Sequence, residues 1–263
     1  MMENTYIEVP VMAECFARGK KPEYLFWVGC LGSFDDRAKK ISRAFSKILD
    51  ACKVDYAVLG KEETCCGDPV RRAGNEMLYQ IQALTIIEML KMYEVKKIVT
   101  FCPHCFNTFK NEYPDLGGEY EMLHATDLLK QLMDEGKLMI NPEILKNNHI
   151  TYHDPCYLGR ANDMYNTSRI LLDKLTANRT EMKRCKSFAL CCGAGGAQMF
   201  KEAEKGDKEV FIERIEDVLE TKADIVATAC PYCMVMLTDG IKYKNKEEEI
   251  ANYDIIELIA KSI

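Results

Sequence analysis

Ten of the 13 cysteines in this chain form two sets of five with matching spacing. The first set is Cys30, the pair Cys65 and Cys66 before Gly67, and Cys102-Pro-His-Cys105. The second is Cys156, the pair Cys191 and Cys192 before Gly193, and Cys230-Pro-Tyr-Cys233. Cys156 follows Cys30 by 126 residues, Cys191 follows Cys65 by 126, and Cys230 follows Cys102 by 128. Disulfides do not need near-identical spacing in two halves; two copies of one metal-binding fold do. Adjacent cysteines bridge each other only with strain. They can instead ligate two neighbouring metals or two positions of one cluster. Pro103 and Pro231 suit the first position of a helix, where a missing N–H costs nothing. A helix N-terminus favours thiolate, the form that binds iron or zinc. Gly67 and Gly193 permit positive φ or close backbone approach to an inorganic core, and Gly195 and Gly196 extend that freedom in the second half.

Five thiolates exceed the four that a structural zinc site or a cubane [4Fe–4S] cluster takes. The fifth is a spare ligand, a bridge, or part of a different cluster. The ferredoxin run C-x2-C-x2-C-x3-C-P is absent, so electrons are expected to arrive from another subunit.

The elements that must position these thiols also repeat. Short β-rich runs occupy 24–28, 56–59 and 97–101, then 150–153, 187–190 and 224–228. Helical periodicity covers 36–51, with Ala38, Ile41, Phe45, Ile48 and Leu49 on one face, then 74–93 and 210–219. Strands alternating with helices imply parallel sheets with crossovers. Each cysteine group follows a strand-like run, and ligands of open α/β sheets gather beyond strand carboxyl ends. The expected fold is α/β: two homologous, pseudo-twofold-related domains with mainly parallel sheets and metal sites beyond the strand ends. The expected divisions are an N-terminal segment 1–23, a first cysteine-rich domain 24–140 and a second 149–263, with the junction at 135–148. The segment before Tyr24 is a candidate docking element.

The 263 residues suit two domains, and 48% hydrophobic content builds ordinary cores without disulfide staples. A net charge of −6, a pI near 5.4 and no Lys/Arg-rich run exclude a nucleic-acid surface. No secretory pattern and no stretch of roughly 20 apolar residues appear. The expectation is a cytoplasmic protein, or one held at a membrane through a partner, using cysteines for metal or redox work.

The doubled pattern resembles the CCG cysteine-rich domain of the heterodisulfide reductase B-subunit family, over residues 24–240. The same domain pair occurs in iron–sulfur subunits of lactate, glycolate and glycerol-3-phosphate oxidation systems. The resemblance implies that a complete five-cysteine set holds a noncubane [4Fe–4S] cluster. It also implies that two such clusters face a disulfide substrate, each giving one electron as the S–S bond breaks. Many relatives lack part of the first set; here both are complete. In some relatives the first set is read as a zinc site, and that alternative stays open. The phrases Trp27-Val-Gly-Cys30, His153-Asp-Pro-Cys156-Tyr-Leu-Gly159 and Cys191-Cys-Gly-Ala-Gly-Gly196 also resemble the subgroup working beside flavoprotein or quinone-linked systems. The implied partners are a ferredoxin-like iron–sulfur subunit or flavoprotein donor and a small-molecule disulfide. Three function classes follow: a disulfide-reducing iron–sulfur oxidoreductase, an electron-transfer subunit between a flavoprotein dehydrogenase and a quinone-reducing partner, and a zinc-stabilised interaction domain.

Other residues carry weaker signals. His153 is the one candidate catalytic group, as a proton donor to a product thiolate, against a hydrogen-bonded histidine at a strand end. His104 stands where the second half has Tyr232, so it reads as a neighbour of the site and not a ligand. Asp68 and Asp154 are candidate caps. Arg37 and Arg160 either offset site charge or bind an anion, unless simply solvated. Cys52 reads as a buried apolar residue; Cys15 and Cys185 have no assigned role. Glu247 to Glu249 form a solvated charge run, and the 14 methionines are core filler.

Overall fold

The computed structural model describes residues 8–203 and 205–263. The first half runs α1 (Met12–Ala17), β1 (Tyr24–Phe26), α2 (Gly29–Phe34), α3 (Ala38–Ala51), β2 (Tyr56–Ala57), α4 (Asp68–Arg72), α5 (Glu76–Met92), β3 (Lys97–Thr100), α6 (Pro103–Asn107), β4 (Glu121–His124) and α7 (Ala125–Asp134). The second runs β5 (Ile150–Tyr152), α8 (Gly159–Asn162), α9 (Thr167–Leu175), β6 (Arg179–Thr180), α10 (Val210–Glu220), β7 (Ile225–Thr228), α11 (Pro231–Tyr243), β8 (Ala251–Asp254) and α12 (Ile255–Lys261). Short helical turns fill several connections.

Two four-stranded sheets result, in the orders β2-β1-β3-β4 and β6-β5-β7-β8, and every strand pair is parallel. This is the expected α/β fold, twice over. In each order the chain reverses direction beside the first strand. The crevice between β1 and β3, and between β5 and β7, is therefore the place where such sheets bind ligands. Even single backbone bonds repeat: Trp27 N–H donates to Val99 O at 2.9 Å, and His153 N–H to Ala227 O at 2.9 Å.

Local chemistry sets the element ends. Lys53, Glu94 and Lys222 adopt left-handed φ of 55°, 54° and 56° just past α3, α5 and α10. This conformation closes the last helical carbonyls and turns the chain into the next strand. The apolar face of α3 (Ile41, Phe45, Ile48, Leu49) is fully buried. Each such side chain contributes about 1.5–3 kcal/mol. The core containing it is continuous across both halves, joining Phe26 and Phe45 to Leu171, Leu172, Ile255 and Ile259. Arg37 adds a polar clasp: its two Nη atoms donate to Glu257 at 2.7 Å each, and Nη2 to Asn252 O at 2.9 Å.

One expectation needs correction, and two features lay beyond the sequence reading. Residues 187–190 are not a strand: Lys186–Phe188 is a 3-10 turn, with Lys186 at φ 54° and Phe188 75% exposed. The edge position is taken by β6, whose two residues carry little strand signal. β4 and β8, the opposite edges, were not anticipated, being too polar in sequence to stand out. Finally, within the segment before Tyr24, the residues from Glu8 onward are described. There Met12 and Cys15 pack into the first half and Val11 bridges to Val58, so that stretch is part of the fold.

Candidate metal centres

In each half two strand ends and the longer loop that follows the edge strand bring the five thiols together. In the first half side-chain contacts run Cys30–Cys65–Cys66–Cys105–Cys102. In the second they run Cys156–Cys191–Cys192–Cys233–Cys230, the same order of positions. Cys66 and Cys105 Sγ lie 3.5 Å apart. In both sets the first cysteine and the first of the pair are half-buried, and the other three are buried. All 13 cysteines are free thiols.

The backbone supports both sets alike. Cys102 and Cys230 are the N-caps of α6 and α11, and Pro103 and Pro231 open those helices as expected. Gly67 and Gly193 stand at φ 92° and 91°, and their N–H groups approach Cys65 Sγ at 3.4 Å and Cys191 Sγ at 3.3 Å. Packed thiols share protons unevenly. Contacts from Cys105 and Cys65 pull Cys66 down to about 6. Burial opposes charge on Cys230, but Cys233 and His104 bring it down to about 5. Contact with Cys65, then burial, push Cys30 up. Five converging thiols, three of them sealed from water with few partners except one another, fit a sulfur-ligated metal centre better than any packing role.

The surroundings differ. Beside the first set, the half-buried Glu63 accepts from two backbone donors, Val28 N–H at 3.1 Å and Gly29 N–H at 2.5 Å, and desolvation of its carboxyl raises its pKa to about 8. His104 Nδ1 lies 2.8 Å from Asp68 Oδ2. Burial opposes protonation of His104, yet Asp68 and the Cys230 thiol outweigh it and hold its pKa well above the usual value. Asp68 stays below its ordinary value despite burial, through His104, Arg72 and Tyr157. In the second half Asp154 pairs with Arg169 at 2.7 and 2.9 Å and accepts the Lys186 N–H. Of the two candidate caps of helices or turns, Asp154 closes the start of the 3-10 turn Lys186–Phe188, whereas Asp68 caps no helix and is held by His104 and Arg72. Arg37 holds the halves together and so is not an anion site, while Arg160 donates to Ala189 O at 2.5 Å beside Cys191. His153 is buried and bonded to Arg214 at 2.9 Å. Cys52 is buried with Sγ near Lys137 O.

The middle residues of the two Cys-Pro-x-Cys turns cross between halves. His104, from the first, contacts Cys230 of the second. Tyr232, from the second, places its hydroxyl 3.6 Å from Cys30 Sγ of the first. The two rings stack at 4.3 Å between centroids, and Tyr157 lies 4.4 Å beyond His104. Such reciprocity is what a pseudo-twofold requires. A narrow cleft, too tight to admit a water molecule, runs beside the second set and is lined by Pro103, His104, Cys156, Tyr157, Cys192 and Cys230 among others.

Sequence reasoning missed Glu63, Tyr157 and Arg214. Arg214 left a signal: with Asp217 it places two charges on the buried face of α10 beside Ile215 and Val218. Glu63 and Tyr157 left none beyond proximity to cysteines.

Residues 24–110 and 150–238 match the model of the CCG family, described as cysteine-rich domain. The chain belongs to this family, once in each half. It is 43% identical over 257 residues to the "Probable iron-sulfur-binding oxidoreductase FadF" of Bacillus subtilis, covering 97% of this chain and 36% of that protein. It is 40% identical over 251 residues to the "EtfAB:quinone oxidoreductase" of Syntrophomonas wolfei, covering 93% and 35%. With a dihydromethanophenazine:CoB–CoM heterodisulfide reductase polypeptide of Methanosarcina barkeri it shares 34% over 252 residues, covering 92% and 59%. The chain thus spans between about a third and three-fifths of the length of these relatives. None of the described helices is long and apolar enough to cross a membrane.

Proposed function

We propose that Cys30, Cys65, Cys66, Cys102 and Cys105 hold one iron–sulfur cluster, and Cys156, Cys191, Cys192, Cys230 and Cys233 another. The chain is then the cluster-bearing part of an iron–sulfur oxidoreductase, in which the clusters supply one-electron steps. Both are read as four-iron clusters of the noncubane type, as the family resemblance implies for a complete five-cysteine set. Of the two redox readings, electron relay between a flavoprotein-type donor and a quinone-reducing partner is the better supported. The observation that carries it is the stack of His104 on Tyr232, through which a cysteine of one set is linked by packed rings to a cysteine of the other. The names of the FadF and EtfAB:quinone relatives fit that direction. Disulfide reduction is the second reading, favoured by the half-buried thiols of Cys30, Cys65, Cys156 and Cys191 and by the heterodisulfide reductase relatives. In either reading this cysteine-rich pair is placed in the cytoplasm, or at a membrane through a partner.

The test is anaerobic purification with iron, sulfide and zinc analysis. About eight irons per chain are expected for two four-iron clusters. Cys66→Ser and Cys192→Ser should each abolish loading of one set and spare the other. Reoxidation of the reduced protein then separates the redox readings. Relay gives no acceleration by small disulfides; disulfide-dependent reoxidation selects the second reading. Zinc at full occupancy with no iron recoverable on reconstitution overturns both.

A further inference from the structure

His153 follows β5, and its side chain is 1% exposed. Its Nδ1 lies 2.9 Å from Arg214 Nε. A guanidinium N–H can only donate, so Nδ1 accepts and carries no proton. The proton of the neutral ring is then on Nε2. Arg214 is itself fixed: fully buried, it donates from Nη1 to Arg184 O at 2.8 Å and to Asp217 at 3.0 Å. Asp217 is held in turn by Arg184 at 2.8 and 2.9 Å.

Nε2 of His153 is buried and has no hydrogen-bond partner among the described residues. A ring nitrogen of His153 lies within 4.8 Å of both Cys192 and Cys233 Sγ. Because Nδ1 is occupied by Arg214, Nε2 is the nitrogen free to face those thiols. An orphaned buried donor costs about 1–3 kcal/mol, so an acceptor is needed at this place. The same geometry argues against ligation. A ligating imidazole offers one lone pair and donates its other N–H outward; here the outward nitrogen accepts, so ligation by Nε2 would require the ring to lose both protons.

We propose that His153 is a fixed hydrogen-bond donor to the sulfur of the second cluster site, oriented by Arg214, and that it raises the reduction potential of that site. The proposal rests on the reading that the second set holds an iron–sulfur cluster. Hydrogen bonds to cluster sulfur stabilise the more negative reduced state and so move the potential upward. The first half offers the matching observation. Trp27 lies 126 residues before His153. It is fully buried in the apolar cluster that contains Cys66, Cys102 and Cys105. Its indole Nε1 also lacks a partner among the described residues. An indole can only donate. Packing alone would not require that two unlike rings at one repeat position both hold an unpaired N–H.

The experiment is a potentiometric titration of the anaerobically purified, iron-loaded chain, with each cluster followed by its paramagnetic signal. In His153→Leu the second-set midpoint moves to a more negative potential while the first-set midpoint stays in place. His153→Gln, which keeps an N–H of similar reach, recovers most of the shift. A purely structural role would give neither the selectivity nor the recovery. Should His153→Leu not fold, isotopically labelled histidine decides. In His104→Phe, which removes the other histidine in contact with a second-set thiol, a weak nitrogen coupling to the reduced second-set cluster is expected, and it is lost when His153→Gln is added. An unshifted midpoint in iron-loaded His153→Leu overturns the proposal. So does an absent coupling, or the strong coupling of a directly bound nitrogen. Wild-type chain whose second set takes up no iron overturns the proposed function and this inference with it; iron present with an unshifted midpoint overturns this inference alone.

Discussion

The two halves share a frame and differ in what lines it. Strand order, the left-handed glycine after the cysteine pair, the proline-led helix and the contact order of the five thiols are common to both. The neighbours are not. Trp27 faces His153 across the repeat, Val28 faces Asp154, Glu63 faces Ala189, and Asp68 faces Ala194. Acidic side chains stand close to the first set, whereas Arg160, Arg169 and Arg214 buttress the second. The arrangement of the thiols therefore comes from the duplicated backbone, and the electrostatic character of each site comes from side chains that the duplication does not constrain. The two centres are alike as cages and unlike as environments.

That contrast breaks first at Asp154. Its carboxylate neutralises Arg169, whose side chain is 7% exposed. Asp154→Ala leaves a buried guanidinium partly unpaired, with only Glu181 and Tyr165 O remaining. A loss of about 3–5 kcal/mol is expected. The repeat counterpart, Val28→Ala, removes only half-buried methyl groups and should cost about 1 kcal/mol. Urea denaturation of the metal-free chain compares them directly; equal losses would mean that the ion pair is no anchor of the second site.

What could be read from the sequence follows the same division. The cysteine sets, the parallel strands before Cys30, Cys102, Cys156 and Cys230 and the helices at 36–51, 74–93 and 210–219 were legible, because cysteine spacing and apolar periodicity are local signals. The edge strands were not. β6 is two residues long, and β4 and β8 carry polar residues because each is covered on one side only. The run 187–190 misled because its hydrophobicity serves a turn whose Phe188 stays in solvent. Crossed contacts such as His104 with Cys230 were out of reach, since they depend on how two halves dock, which no spacing records.

A finer comparison comes from the two glycines after the cysteine pairs. Both have φ near 90°, where an L-residue costs roughly 1–2 kcal/mol. At Gly67 an added Cβ would also meet Tyr79 Cδ2 at 2.7 Å, and Tyr79 is buried. At Gly193 the nearest atom would be Phe211 N at 3.5 Å, an ordinary contact. Gly67→Ala should therefore destabilise the chain by about 1–3 kcal/mol more than Gly193→Ala. Equal shifts in thermal midpoint would show that Tyr79 yields and that the first cage is no tighter than the second.

The smallest effect separates the caps of the last helix in each half. His124 caps α7 and Asp254 caps α12, at matching ends of β4 and β8. His124 Nδ1 accepts from the Thr126 backbone N–H, while Nε2 faces Phe101 O at 3.2 Å. Burial favours the neutral ring and lowers its pKa from 6.5 to about 4. Between those values the unfolded chain takes up a proton that the folded chain refuses. The stability contributed by His124 is thus intact above pH 6.5 and declines as pH falls, at up to about 1.4 kcal/mol per pH unit. Asp254 runs the other way. Burial raises its pKa, so its contribution is intact below its unfolded pKa and is lost as pH rises through the folded one. His124→Asn keeps an acceptor for Thr126 and removes the titration. Denaturation midpoints of this variant should fall less than wild type between pH 7 and pH 5. Parallel declines would place the acid sensitivity outside this cap, and the two halves would then differ only around their cysteines.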